Sequence, residues 1–318
     1  GNYNTAVGHA SLADNTTGGQ NTAIGYQALI SNTTASDNTA TGFNALYTNT
    51  TGSLNLANGW RALYYNTTGT RNTAVGFKAL YSNATASENT AVGVEALQQN
   101  TTGVGNCALG RQALHNNTTA SNNTGMGLYA LYANTTGTAN VAVGRSASEG
   151  NTTASSNTSI GYQALKQTST GASNVAVGAD ALTDNTTGAN NTAVGKGALE
   201  VNTTGSRNVA IGEGALDSNT TATNNTAIGT YAGDGVTTGI ANILIGYQAG
   251  KYNTPLTTGT ENTIIGAYAY PSASDTSSAN SFGYNLIAVS GYTTIGSAAN
   301  DIRAAHGNTT WATVSDER

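Results

Sequence analysis

Side chains that could carry out catalysis are scarce in this 318-residue chain and lie far apart. It has three histidines, His9, His115 and His306, and a single cysteine, Cys107. They show neither the spacing of metal ligands nor a nucleophile elbow, and a lone cysteine excludes an intrachain disulfide. We therefore predict that the chain is not an enzyme and uses no metal or other cofactor.

Five acidic residues recur at a spacing that could bring them onto one face: Asp180, Asp184, Glu200, Glu213 and Asp217. Two carboxylates held at a defined separation could hydrolyse a glycosidic bond. Lysine, glutamine or tyrosine stands at the equivalent places elsewhere in the chain. We therefore interpret these carboxylates as a solvated face, with a glycosidase site as the alternative.

Aromatic residues form the other chemical feature, in two series with 17-residue intervals. The first series is Tyr26, Phe43, Trp60 and Phe77, and the second is Tyr47, Tyr64 and Tyr81. Exposed apolar patches mark contact surfaces, and aromatic rings offer flat faces for stacking. We predict contact with a glycan or another surface. The alternatives are rings that stack on one another and stiffen the protein, or rings that lie between chains.

A long internal repeat positions all of these residues. A glycine that follows an Asn-Thr-Ala-Val-like tetrad recurs fifteen times with the same spacing as the rings, from Gly8 and Gly25 to Gly246. It then recurs at Gly266, Gly283 and Gly296, where the spacing is first longer, then regular, then shorter. We call each repeat a coil and this residue the repeat glycine.

The residue before the repeat glycine is Val, Ile, Leu or Met in every regular coil except those with Thr41 and Asn58. This pattern predicts that the column, which includes Ile24, lines a dry interior. The preceding alanine, Ala23 in the same coil, is expected on the opposite face against a close neighbour. A leucine four residues after the glycine, such as Leu29, is predicted to point inward.

Each coil is therefore predicted to be a strand, a corner, a short second strand or extended segment, and a second corner. Asn21 and Asn32 are placed near the corners, where asparagine tolerates tight turns. Coils stacked in register form an all-β, parallel β-solenoid or β-roll. Three buried aliphatic side chains offset only part of the entropy lost by ordering one coil. We therefore expect an intimately packed parallel homotrimer, and we disfavour a disordered tract or a helical repeat.

Composition narrows the possible partners. Hydrophobic residues make up 38% and charged residues 8% of the chain, with a net charge of −5. We predict no nucleic-acid partner, because no basic surface is evident. We predict no membrane insertion either, because no apolar run approaches about 20 residues. The chain opens with GNYNTAVG, within a repeat, so we expect a fragment or a processed product.

The recurring Asn-Thr-Ala-Val-Gly-x-x-Ala-Leu motif resembles the left-handed β-roll repeats in the heads of YadA-type trimeric adhesins. It resembles the repetitive shafts of bacteriophage tail fibres still more closely, over about residues 1–270. The resemblance implies an extracellular location in a virion tail. It also implies other tail components and a host-surface glycan or protein receptor as partners.

The segment WATVSDER, Trp311 to Arg318, resembles the entry to the self-cleaving intramolecular chaperone of endosialidase-type tail spikes and fibres. That signature begins Ser-Asp-x-Arg. The resemblance implies that Ser315 is the nucleophile of a single-turnover autoproteolysis, with Asp316 beside it and Arg318 in the same motif. We predict a regular shaft over 1–254, an irregular β cap or tip over 255–314, and a remnant of the chaperone junction over 315–318.

These features predict a structural, receptor-directed fibre shaft of a phage tail, matured by removal of a C-terminal chaperone. The alternative is the head of a trimeric adhesin on a bacterial cell surface. Repeated threonines on a flat β-face also leave an ice-binding solenoid as a third hypothesis.

Overall fold

A computed structural model describes residues 1–298, 300–308 and 310–313. The chain divides into two compact units, Gly1–Asn157 and Thr158–Arg318. The described part of each unit is all-β. Every regular coil contributes one three-residue strand that ends immediately before the repeat glycine.

The strands of the first unit are β1 Thr5–Val7, β2 Thr22–Ile24, β3 Thr39–Thr41, β4 Leu56–Asn58, β5 Thr73–Val75, β6 Thr90–Val92, β7 Cys107–Leu109, β8 Thr124–Met126 and β9 Val141–Val143. The strands of the second unit are β10 Thr158–Ile160, β11 Val175–Val177, β12 Thr192–Val194, β13 Val209–Ile211, β14 Thr226–Ile228, β15 Ile243–Ile245, β16 Thr263–Ile265, β17 Tyr270–Pro271, β18 Asn280–Tyr284, β19 Ile287–Ala288, β20 Tyr292–Ser297, β21 Asn300–Ala305 and β22 Ala312–Thr313.

Within each unit, successive strands pair in parallel with a register of one coil. Ala23 of β2 pairs with Ala40 of β3 in the first unit, and Ala176 of β11 pairs with Ala193 of β12 in the second. Backbone hydrogen bonds also join the turns of adjacent coils, as from the Leu29 N–H to the Ala45 carbonyl at 2.9 Å. The predicted parallel β-solenoid with 17-residue coils is confirmed.

Parallel pairing continues in the second unit beyond the last regular interval, from β15 through β16 and β18 to β20. β17 and β19 form a separate parallel pair. β21 then returns antiparallel to β20, and β22 pairs antiparallel with β21.

The interior of each coil is narrow and is filled by small residues, leucine and asparagine. Ala23, Ala28 and Leu29 have no exposed surface, whereas Ile24 is 40% exposed. The prediction that the column of Ile24 lines the interior is therefore wrong. Adjacent strand residues point to opposite faces, and only a methyl group fits beside the leucine, so alanine lies inside and the aliphatic residues point outward.

Two ladders of buried asparagines hold the second corner of the coils. The side chains of Asn21 and Asn32 both donate to the carbonyl of Ala35, at 2.9 and 3.0 Å. The Asn21 Oδ1 accepts the backbone N–H of Asn38 at 3.0 Å, and the Asn32 Oδ1 accepts the side-chain N–H of Asn49 at 3.1 Å. Asn21 and Asn32 thus each bind the carbonyl of the following turn and connect their own coil to the next one.

Backbone conformation explains the repeat glycine. Gly25 has a φ of 138°, and a β-carbon there would lie 2.5 Å from the carbonyl oxygen of Gly42. Any side chain would therefore force adjacent coils apart. Leu29 adopts a left-handed φ of 53°, which costs a non-glycine residue about 1–2 kcal/mol. Complete burial of its side chain offsets this strain.

Candidate functional site

An aliphatic stripe runs along the outside of the strands in each unit. We define the outer stripe as the residues one and three positions before each repeat glycine. Its exposed apolar members are Val7, Ile24, Leu56, Leu109, Met126 and Val141 in the first unit, and Ile160, Ile211, Ile228, Ile243, Phe282 and Ile295 in the second. They are 37–57% exposed, so most coils leave apolar surface uncovered. An extended apolar surface of this kind is typical of a contact face.

A second surface, in the first unit, is built from the two aromatic series. Five rings stack nearly parallel, with interplanar angles of 9–12° and centroids 4.8–6.1 Å apart. They are His9, Tyr26, Phe43, Trp60 and Phe77. Tyr47, Tyr64 and Tyr81 form a shorter stack beside them, with centroids 5.0 and 5.4 Å apart.

Two cations lie against both stacks. The guanidinium carbon of Arg61 is 4.3 Å from the ring centroid of Trp60 and 5.4 Å from that of Tyr64. The Lys78 Nζ is 5.4 Å from the centroid of Phe77 and 5.5 Å from that of Tyr81. We call the two stacks together with Arg61 and Lys78 the aromatic surface.

Stacking determines what the aromatic surface can bind. The spacing is that of rings in direct contact, so their faces are covered by one another. The ring edges, which carry partial positive charge, are presented to solvent together with the two cations. This arrangement suits hydrogen-bond acceptors or anionic groups better than a sugar ring lying between aromatic faces.

Three of the five acidic residues of the sequence pattern, Glu200, Glu213 and Asp217, line a depression of about 170 Å³ in the second unit. The full lining is Lys196, Gly197, Glu200, Glu213, Gly214, Asp217 and Tyr231. Asp180 and Asp184 are not part of this lining, but besides burial their charges also raise the pKa of Glu200. Gly197 and Gly214 occupy the position that carries Arg61 and Lys78 in the first unit, so missing side chains open the space. We call this feature the acidic depression.

The carboxyls of the acidic depression are electrostatically coupled. Partial burial raises the pKa of Glu200, and the charge of Asp217 raises it further, whereas Lys196 acts in the opposite direction. Partial burial also raises the pKa of Asp217, followed by the charge of Asp234. Asp234 itself forms an ion pair with Lys251. The cluster holds more negative charge than its cations offset.

The histidines lie in different surroundings. His9 ends the longer aromatic stack, and His115 stacks on Tyr132 with its Nδ1 2.7 Å from the Asn116 Oδ1. His306 lies 3.4 Å from the side-chain nitrogen of Asn280. Across residues 1–298, 300–308 and 310–313, no group of three or more His, Cys, Asp and Glu is arranged to hold a metal ion.

Two further predictions from the sequence concern the C-terminal motif and membrane insertion. Ser315, Asp316 and Arg318 lie outside the described residues, so their role stays a prediction. The described residues form no helix with the length and apolar character of a membrane span.

Sequence reasoning identified both aromatic series but missed three members of the surface they form. His9 stands in the same column as Tyr26, and Arg61 and Lys78 each directly follow a ring residue. The common 17-residue spacing was the available signal. It also marks the asparagine ladders, since the residue four before the repeat glycine is asparagine in all fifteen regular coils.

The fold and these surfaces define the class of the protein as a parallel β-solenoid repeat protein. Comparison with protein-family models, curated proteins and solved structures gives no match.

Proposed function

We propose that the protein is a structural fibre shaft that assembles with two further copies of itself and acts in host attachment by a phage tail. The observation that carries this proposal is the outer stripe. Most regular coils present an exposed aliphatic side chain at the same place, although the coil interior has its own separate core.

The spacing of the stripe favours copies of the same chain as its partner. Consecutive strands of a sheet are about 4.8 Å apart. A partner must therefore present apolar groups at that interval over many coils. An identical solenoid aligned in parallel meets this requirement, because its strands have the same spacing. The stripe is only two residues wide on each strand. When three copies surround one axis, the stripe of each chain contacts the stripes of both other chains. The resemblance to trimeric adhesin heads and tail-fibre shafts also supports an assembly of three chains.

Sedimentation equilibrium or mass photometry of the purified chain tests the assembly. We expect three chains of 31.9 kDa each. Ile24→Lys places a charge in the outer stripe and should weaken the trimer, because burying an unpaired charge is costly. Thr34→Lys introduces the same charge on an exposed residue of the same coil and should leave the mass unchanged. A wild-type mass of one chain would contradict the proposal.

Cys107 offers a second measurement, because it lies in the outer stripe and is partly accessible. In a parallel, in-register trimer the three Cys107 thiols lie at the same level. A short bismaleimide should therefore link wild-type chains into covalent dimers. The Ile24→Lys variant should give fewer linked chains at equal concentration, and Cys107→Ser should give none.

The phage assignment and the maturation step rest on sequence resemblance. A full reading frame that extends past Arg318 allows a direct test, in which Ser315→Ala should leave the product uncleaved while wild type is processed. Cleavage that is unaffected by Ser315→Ala would contradict this part. The adhesin alternative predicts a membrane anchor in the same reading frame.

The threonine columns give the ice-binding hypothesis little support. The Oγ1 of Thr33 donates to the carbonyl of Thr50 at 3.1 Å, and the Oγ1 of Thr50 donates to the carbonyl of Thr67 at 3.1 Å. These hydroxyls therefore bind the solenoid itself. A measurement of thermal hysteresis tests the hypothesis directly.

A further inference from the structure

A tyrosine pocket lies in the second unit, where the repeat is lengthened. Tyr252, Tyr268, Tyr284 and Asn285 line a cavity of about 300 Å³, a volume at the lower end of small-molecule sites. The interval between Gly246 and Gly266 is longer than the regular repeat. Tyr284 stands one residue after its repeat glycine, whereas Tyr268 stands two residues after its own. Successive rings are therefore out of the alignment that produces stacks in the first unit.

Ring geometry distinguishes this pocket from the aromatic surface. Tyr252 and Tyr268 meet at an interplanar angle of 66° with centroids 4.9 Å apart, and Tyr268 and Tyr284 meet at 88° and 5.8 Å. In an edge-to-face pair only one ring has a face covered by the other, whereas parallel stacking covers a face of both rings. Tyr284 is 57% exposed and Tyr252 is 38% exposed. The pocket therefore presents ring faces to a ligand.

Polar groups in the pocket are hydrogen-bonding but uncharged. The Oδ1 of Asn285 is shielded from solvent and has no hydrogen-bond partner among the described residues. Polar atoms that are shielded from solvent normally have a hydrogen-bond partner, so a ligand that donates to this oxygen would fit here. Burial raises the pKa of the Tyr268 hydroxyl, and the hydroxyls of Tyr247, Tyr284 and Tyr252 raise it further. This hydroxyl therefore stays a neutral donor near pH 7.

We propose that the tyrosine pocket binds a neutral sugar ring of a glycan. The face of a tyrosine ring carries partial negative charge, and one face of a pyranose presents a cluster of C–H bonds with partial positive charge. The sugar hydroxyls supply both the donor that Asn285 lacks and acceptors for the tyrosine hydroxyls. The lining of tyrosine and asparagine includes no charged side chain that would form an ion pair with a charged substituent.

The inference rests on the proposed function for its biological setting, because it gives the host-directed fibre a ligand class and a place to bind it. The pocket residues are not members of the outer stripe. Sugar binding and assembly are therefore measured separately.

The test is a titration of the purified chain with neutral methyl glycopyranosides of the gluco, galacto, manno and 2-acetamido-gluco series. Saturation-transfer difference NMR reports which sugar contacts the protein. We expect saturable binding of at least one sugar, with a Kd in the millimolar range that suits a small ligand in an open site.

Two variants assign the binding to the pocket. Tyr284→Ala removes a mostly exposed ring and should weaken binding at least about tenfold. Asn285→Gly keeps a residue that tolerates the left-handed φ of 51° and removes the side chain whose Oδ1 lacks a partner, so it should weaken binding similarly. Tyr162→Ala, which alters an exposed tyrosine in the same repeat column as Tyr284, should leave the affinity unchanged.

Absence of saturable binding for all four sugars would overturn the proposal, as would binding that both Tyr284→Ala and Asn285→Gly leave intact. Sedimentation on the same samples separates this outcome from the assembly. A trimer that binds no sugar refutes the pocket alone, whereas a single chain that binds sugar through Tyr284 refutes the assembly alone.

Discussion

The aromatic surface of the first unit and the acidic depression of the second unit use the same three positions of the coil. One residue after the repeat glycine, Trp60 in the first unit corresponds to Glu213 in the second. Two residues after it, Arg61 corresponds to Gly214. Five residues after it, Tyr64 corresponds to Asp217. One surface is filled by rings and cations, and the other is left open and negative.

Beneath these differences the scaffold is the same. Leu63 lies under the aromatic surface and Leu199 under the acidic depression, and neither has exposed surface. The comparison teaches that outward positions can change charge, size and shape while the alanine, leucine, asparagine and glycine columns hold the backbone. Four predictions test this separation, in order of decreasing effect.

Core truncation should affect both units equally. Leu63→Ala and Leu199→Ala each leave a cavity in a fully buried site, so each should lower the free energy of unfolding by about 3 kcal/mol. Urea denaturation followed by circular dichroism measures the loss, with the midpoint as the readout because solenoids can unfold in stages. A large difference between the two variants would show that the scaffold is not shared.

Substitution of a ladder asparagine should lower the free energy of unfolding by different amounts in the two units. Asn100 donates to Asn83 and Gly103 and accepts from Asn117, with all three distances between 2.8 and 3.0 Å. Asn100→Val breaks these buried bonds and should cost about 2–3 kcal/mol.

Asn219, in the coil of the acidic depression, is the matched case. Its Nδ2 and Oδ1 have no partner among the described residues, and the next coil carries Val236 in its place. Asn219→Val should therefore change stability by less than about 1 kcal/mol, or raise it. Equal losses for Asn100→Val and Asn219→Val would show that the ladder contributes nothing beyond side-chain volume.

Ring removal tests whether stacking stabilises the first unit. Trp60 contacts Phe43 and Phe77 in its stack, and Arg61 lies over its ring. Trp60→Ala should cost about 1–3 kcal/mol, the sum of stacking and cation contacts. Val94→Ala changes the next non-aromatic residue of that column, is exposed, and should cost less than about 0.5 kcal/mol. A Trp60→Ala loss as small as the Val94→Ala loss would reject the stiffening role.

Much of this fold was predictable because a 17-residue period over many coils leaves little freedom in strand position or register. The strand before each repeat glycine and the burial of Leu29 both followed from that period. Alternation of Ala23 and Ile24 could establish that they point in opposite directions, but not which direction is inward. That choice depends on the width of the coil, which is filled by leucine and by the two asparagine ladders.

Surface chemistry was less predictable for a related reason. The series from Tyr26 to Phe77 was visible as spacing, but the stacking that covers its ring faces depends on side-chain orientation. The acidic depression depends on glycines at 197 and 214 that are inconspicuous in a glycine-rich sequence. The tyrosine pocket combines rings from different columns, since Tyr284 stands one residue and Tyr268 two residues after a repeat glycine, so no single column identifies its members.

The smallest effect is expected when the acidic depression is titrated. Partial burial, followed by the charge of Asp217, raises the pKa of Glu200. The folded chain therefore holds a proton at a pH where the unfolded chain has already released it. This contribution to stability is complete below the ordinary carboxyl pKa and is lost as the pH rises through the raised value. Glu200→Gln should remove that loss and stabilise the chain at pH 7 by less than about 1 kcal/mol, because solvent screens a partly exposed group.

Urea midpoints between about pH 4 and pH 8 measure this difference. Glu88→Gln, in the first unit, is the control: Glu88 is exposed and forms an ion pair with Arg71 at 3.3 Å. Its removal should leave stability unchanged or slightly lower at pH 7. If Glu200→Gln does not flatten the pH dependence relative to Glu88→Gln, the acidic depression is an ordinary solvated face, as the sequence pattern alone suggested. If Glu200→Gln does flatten the pH dependence, the clustered negative charge lowers the stability of the second unit. The first unit has no such loss, because cations pack on rings at the same positions.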